Sequence, residues 1–165
     1  MKNIIVSLSV AVLLLATGCA QQVPPLNFSV PNVGPSQQRV NAELKSLTVT
    51  LGRPDEVKGT MPFGIETVTP MWKEALQEAL NRMALFNDSA TKTVSLSVKV
   101  LGIDAPSAGI TFPTTATAKY ELLDRQTGAI IYTETIESSG ETPMDFAFLG
   151  LARQRESINR AVQNN

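Results

Sequence analysis

The chain has 165 residues, of which 43% are hydrophobic and 5% aromatic, and its formal net charge is −1. This near balance of charge, with few aromatic side chains for stacking, argues against nucleic acid as a partner. Histidine is absent and cysteine occurs once, which excludes the commonest general base and any disulfide within the chain.

The first eighteen residues have the pattern of a secretory signal peptide. Lys2 gives a positive start, residues 4–16 form an apolar run interrupted by two serines, and small residues occupy positions 16–18. These are the three parts of such a signal. The run is too short for a transmembrane helix, which needs about 20 apolar residues. We therefore expect residues 1–18 to be removed from the working protein.

Cysteine follows these small residues directly, and the segment resembles the signal of bacterial lipoproteins. Their lipobox corresponds here to Ala16-Thr17-Gly18-Cys19, with alanine where the family usually has leucine. The resemblance implies that Cys19 is acylated after cleavage and anchors the protein to a membrane. In that family, aspartate after the cysteine retains the protein at the inner membrane, so Ala20 favours the outer membrane, with the domain on the periplasmic side. The alternative is a free cysteine in an ordinary export signal.

Residues 19–43 form a predicted tether. Proline and glutamine are frequent there, and periodic apolar residues are few. Because proline stiffens and extends a linker, we expect the tether to space a folded domain from the membrane. The alternative is a short first strand at residues 26–30, where apolar and polar residues alternate.

Residues 44–165 are predicted to form one globular domain that begins with a strand and contains four. Apolar and polar residues alternate, which indicates strands with one buried face, over residues 47–51, 94–100 and 115–122. A fourth strand is predicted at residues 129–133, continuing to Ile136. The last two are joined by a hairpin turn at residues 124–128, where a glycine allows positive φ.

Two helices complete the predicted domain. The first begins at Thr69-Pro70, with threonine as its cap, and the second covers much of residues 147–162. The second helix is expected to bury Ala147, Leu151, Ile158, Ala161 and Val162. The order strand, helix, three strands, helix predicts an α+β two-layer sandwich. Its sheet is mainly antiparallel, with about four strands and two helices on one face.

No catalytic, metal or cofactor site is predicted. Glu134, Glu137 and Glu141 lie close in sequence, but residues three apart in a strand point to opposite faces, which separates the first two. The single cysteine is committed to the anchor, and no serine lies in a nucleophile-elbow motif. We therefore expect a protein that is not an enzyme. An envelope hydrolase or transferase is the remaining enzymatic alternative.

Three residues of the second helix are candidates for partner binding. Arg153, Glu156 and Arg160 are spaced three and four apart, which makes them neighbours on one helix surface. An arginine fork suits a carboxylate or phosphate on a partner. The alternative is a helix that pairs these charges internally.

Aromatic residues provide the other candidates for a binding surface. Phe112 and Ile110 are apolar residues in a permissive stretch at residues 104–113, where they would contact lipid or a partner, or close over the core. Phe146 and Phe148 would line a groove, cover the sheet edge, or pack in the core.

The whole pattern is similar to that of small Gram-negative envelope lipoproteins. The helix at residues 72–80, followed by paired strands and a terminal helix, resembles YajG-like lipoproteins and auxiliary lipoproteins of ABC-type lipid transport systems. The resemblance implies an accessory or scaffold role in outer-membrane assembly or lipid transport, with an envelope protein as partner, and it sets no oligomeric state. The alternative class is a module that binds a lipid or glycan in an apolar pocket between helices and sheet.

Overall fold

The computed structural model describes residues 23–61 and 65–165, which form one four-stranded sheet with two helices on one face. The strands are β1 (Glu43–Leu51), β2 (Thr93–Asp104), β3 (Phe112–Asp124) and β4 (Ile130–Thr142), and the helices are α1 (Val68–Met83) and α2 (Gly150–Asn164). The strand order is β1-β2-β3-β4; β1 and β2 are parallel and the other neighbours antiparallel. The predicted α+β fold is confirmed.

The core lies between the helices and alternate residues of the central strands. Val94, Leu96, Val98 and Val100 of β2 are buried, while the intervening residues of that strand are only partly covered. This is the period of two that the sequence predicted, because successive strand residues point to opposite faces. Helix α1 packs on β1, and α2 packs on β3 and β4.

Helix α1 begins one residue before the predicted cap. Its N-cap is Thr67 and a short 3₁₀ turn, Ile65–Thr67, precedes it, so Thr69 lies inside the helix. The Thr69 hydroxyl instead donates to the carbonyl oxygen of Glu66 at 3.4 Å. Trp72 is a buried residue of α1, as the helical spacing of the apolar residues predicted.

Helix α2 begins at Gly150, later than predicted, and buries a different set of residues. Ala147 is buried before the helix, and Ala161 and Val162 are buried within it, as expected. Leu151 is 51% exposed, contrary to the prediction, whereas Arg153 is only 8% exposed. The helix approaches β4 closely at Gly140, where an added Cβ would lie 2.3 Å from the backbone nitrogen of Ala161.

The described part of the tether, residues 23–43, packs on the domain and contains no strand at residues 26–30. Phe28 is 2% exposed and belongs to the core, where its ring centre lies 6.4 Å from that of Trp72. Further along, Val40 forms a bridge to Phe86 and Ala42 is buried. The sequence predicted a spacer because proline and glutamine are frequent in this segment and the apolar alternation around Phe28 is short.

None of the helices in the described part of the chain has the length and apolar character needed to span a membrane.

Candidate functional site

The predicted lipid-attachment residue, Cys19, lies outside the described residues, and its role stays a prediction. The structure shows the path of the chain from residue 23 onward. Side chains of α2 hold the main chain of the tether at three successive places along the helix.

The contacts follow the helix in order. The Arg155 guanidinium donates to the Pro24 carbonyl oxygen at 3.5 Å. One turn later, Asn159 accepts the Asn27 backbone N–H at 2.8 Å through Oδ1. After another turn, the Gln163 amide donates to the Asn27 carbonyl oxygen at 2.9 Å. The tether therefore runs in the same direction as α2, and its earlier residues lie nearer the start of the helix.

A cleft of about 860 Å³ opens between the two helices beside this contact. Its walls are largely apolar: Leu26 comes from the tether, Met71 from α1, Leu151 and Ile158 from α2, and Ile103 from the end of β2. The Gln154 and Arg155 side chains supply polar atoms to the lining. A few polar groups in a mostly apolar concavity of this size are typical of small-ligand sites.

Arg153 and Phe112, two of the predicted partner-binding residues, are brought together inside the fold. The Arg153 guanidinium lies 5.3 Å from the centre of the Phe112 ring, a cation–π distance. It also donates to the carbonyl oxygens of Ala147 at 2.8 Å, Met144 at 3.4 Å and Phe148 at 3.5 Å. Arg153 therefore fastens the irregular segment before α2, and a role in binding a partner stays a prediction.

Glu156 and Arg160, the other two, form an ion pair on the surface of α2. The Arg160 Nε donates to the Glu156 carboxylate at 2.9 Å, and its Nη1 donates to the Glu141 carbonyl oxygen at 2.9 Å. The guanidinium also lies 5.6 Å from the centre of the Phe146 ring. The ion pair within the helix, which was the alternative interpretation of the sequence, is thus present. Both charged side chains remain partly exposed.

Ionisable groups with shifted pKa values lie away from the cleft. Hydrogen bonds from Lys99 and the Arg53 backbone lower the pKa of Glu56 to about 2. Backbone N–H groups of the β3–β4 turn lower the pKa of Asp124. Burial raises the pKa of Tyr120 to about 12. Among the described residues, no group of three or more acidic, histidine or cysteine side chains is placed to hold a metal ion.

Sequence reasoning missed the residues that dock the tether and those that form the cleft. Asn159 is 5% exposed and Gln163 partly buried, yet both are polar residues, and the pattern placed only apolar residues on the buried side of this helix. The cleft combines side chains from segments far apart in sequence, so no local motif marks it. The available signal was the short alternation of apolar and polar residues at 26–30, which includes Phe28.

These elements define an open two-layer fold, in which two helices cover one face of a four-stranded mixed sheet. Protein XCC0632 from Xanthomonas campestris, described under the family DUF330, is similar in structure, with a TM-score of 0.53 at 13% sequence identity. The similarity covers 85% of this chain and 88% of that one, and it shows a shared fold alone.

Two further solved structures are more distant. A protein from Caulobacter crescentus, described as a candidate lipoprotein, has a TM-score of 0.42 at 16% identity, covering 71% of this chain and 79% of that one. A minor lipoprotein from Acinetobacter baumannii has a TM-score of 0.37 at 17% identity, covering 74% and 87%. The chain matches no protein-family model and no curated protein.

Proposed function

We propose that the chain is a non-enzymatic envelope lipoprotein, anchored through acylated Cys19 to the outer membrane and facing the periplasm. Its role is that of an accessory or scaffold in outer-membrane assembly or lipid transport, exerted on an envelope protein partner. The observation that carries the proposal is the residue order at the start of the chain: a positive residue, an apolar run, small residues at 16–18 and the single cysteine.

The anchor is tested by Cys19→Ser, with Thr17→Ser as a matched control that keeps a small residue before the cleavage site. We expect Cys19→Ser to release the protein from membranes or to stall removal of the signal. The control should be processed and acylated normally. Fractionation and the mass of the N-terminal peptide report both properties. A Cys19→Ser protein that is processed and membrane-bound like the parent chain contradicts the assignment.

The choice of membrane is tested at the next residue. Ala20→Asp introduces the residue that retains lipoproteins at the inner membrane in the family that the signal resembles. We expect it to move the acylated protein from outer-membrane to inner-membrane fractions on a density gradient, with Ala20→Ser as the control. If the parent protein is found in the inner-membrane fraction, the outer-membrane proposal is wrong, while the proposed acylation of Cys19 is unaffected by that result.

The partner is tested by capture of the intact lipoprotein from solubilised envelopes after crosslinking. Replacing Glu156 and Arg160 together by alanine removes the partly exposed ion pair of α2, and Lys73→Ala on α1 serves as the control. We expect a specific envelope protein to be lost with the double variant and retained with the control. Failure of the parent chain to capture any specific envelope protein contradicts the accessory role.

A second candidate function, binding of a lipid or another small apolar ligand, is favoured by the cleft. Ile158→Trp adds bulk inside the cleft, and Ile131→Trp makes the same change on exposed β4. We expect a fluorescent fatty acid to bind the parent chain and the Ile131→Trp variant but not the Ile158→Trp variant. Equal binding by both variants, or none by the parent chain, contradicts a ligand site in the cleft.

A further inference from the structure

Of the exposed large apolar side chains, Ile130, Ile131 and Tyr132 lie at the start of β4, and the others lie together at the opposite end of the molecule. We call this region the apolar end and define it as residues 105–112 and 144–151. Phe148 is 90% exposed, Ile110 72% and Met144 61%. The two segments contain a single charged residue, Asp145. Large apolar side chains grouped in this way mark a surface that meets another apolar phase.

Both segments are fastened to the first turns of α2, which places them side by side. Gln154 donates to the Pro106 carbonyl oxygen at 2.8 Å. An added Cβ on Gly150 would lie 3.4 Å from the Phe112 ring. Arg153 holds the other segment through its carbonyl oxygens. The exposed side chains are therefore presented on a supported surface.

The described tether begins near the same end. Pro24 is held by Arg155 in the second turn of α2, and Leu151 lies about 6 Å along the axis from Arg155, toward the start of the helix. Cys19 precedes Pro24 by five residues, a reach of at most about 17 Å. An acylated Cys19 would therefore be within reach of the apolar end.

We infer that the apolar end is a second membrane contact, which inserts Phe148 and its neighbours into the interface of the leaflet that holds the acyl chains. The inference rests on the proposed anchor for its geometry. Transfer of apolar side chains from water to the boundary between headgroups and acyl chains lowers the free energy. A lipid-anchored protein needs no electrostatic attraction to reach that boundary. Asp145 stays at the level of the headgroups. Strand β4 has thirteen residues, so its first residues lie about 40 Å from this contact.

The test uses an environment-sensitive fluorophore on a single introduced thiol, since acylation blocks Cys19. Phe148→Cys places the label at the apolar end, and Ile131→Cys places it on an exposed apolar position at the far end of β4. Each full chain is reconstituted in vesicles of phosphatidylethanolamine and phosphatidylglycerol, with and without nitroxide-labelled phosphatidylcholine. We expect a blue shift and quenching by the nitroxide at position 148 only.

The outcomes separate this inference from the proposed anchor. If the mass of the N-terminal peptide shows acylation but both labels behave alike, the membrane contact is overturned and the anchor stands. If Cys19 carries no lipid, the anchor fails; Cys19→Ser is then added to both variants so that the introduced thiol alone is labelled, and the label at position 148 still decides the contact when the same vesicles are added in excess. A label at 148 that is shielded before vesicles are added indicates self-association of this surface and also overturns the inference. Thermal unfolding of each labelled chain confirms that it is folded.

Discussion

Replacement of Phe28 by alanine tests whether the tether is part of the folded domain. A fully buried phenylalanine removes roughly 150–250 Å² from water, which at about 25 cal/mol per Å² sets an upper limit of roughly 4–6 kcal/mol. Measured Phe→Ala changes in protein cores cost about 3–5 kcal/mol. Because Phe28 lies on a segment without regular structure that can settle into part of the cavity, we expect about 3 kcal/mol.

Urea unfolding of the chain without its first nineteen residues measures this loss, with the fluorescence of Trp72 as the signal. At a slope of about 2 kcal/mol per molar urea, the midpoint should fall by roughly 1.5 M. Val33→Ala is the matched control in the same segment, because Val33 is half-buried and outside the core. It should cost less than about 1 kcal/mol. Equal midpoints for the two variants would refute the reasoning and restore a tether that only spaces the domain.

Three further changes test the contacts of α2 and the pH dependence. Gly140→Ala should lower the free energy of unfolding by about 3 kcal/mol in urea titrations, because its methyl group meets the backbone of α2, whereas Gly34→Ala has open space around it and should change little. Arg153→Met keeps an unbranched stem but removes the guanidinium, which leaves carbonyl oxygens without a donor; it should cost about 2 kcal/mol and speed proteolysis before α2, and unchanged proteolysis would contradict its fastening role. The pKa of Glu56 in the folded chain, about 2, lies below its ordinary value of 4.5, so its contribution to stability is complete above about pH 4.5 and is lost as the pH falls through about 2. Glu56→Gln should therefore flatten the dependence of stability on pH across that window, and an unchanged slope would show that other carboxylates determine it.

The strands could be predicted from the sequence because their burial is a local property. In β2 and β3, side chains on one face meet the helices and those on the other face do not, so the alternation in the sequence records which face is buried. The predicted end of β4 was less accurate, because the strand continues beyond residue 136 to Thr142. Its later residues, Gly140 and Thr142, are buried under α2, but small and polar residues carry no apolar pattern there.

Leu151 is exposed and Arg153 is buried, the reverse of what hydropathy predicts. The reason shows why burial along α2 could not be predicted from the sequence. Hydropathy assigns leucine to the core and arginine to solvent. The segment before α2 leaves carbonyl oxygens that no regular element satisfies, and Arg153 is placed where one guanidinium reaches three of them. That requirement arises only after the chain has folded, so no periodicity records it. Leu151 is left in the wall of the cleft and partly exposed.

The docked tether changes what an anchor at Cys19 would do. A tether free from Cys19 to Leu44 would extend up to about 85 Å, and the domain would take many orientations above the membrane. With Pro24 held by Arg155 and Phe28 in the core, only the five-residue step from Cys19 to Pro24 remains, with its limit of about 17 Å. With the proposed anchor, such a short connection would hold the start of α2 and the cleft close to the lipid surface. A partner would then meet the protein beside the membrane, and the first residues of β4 would be the part that reaches farthest into the periplasm.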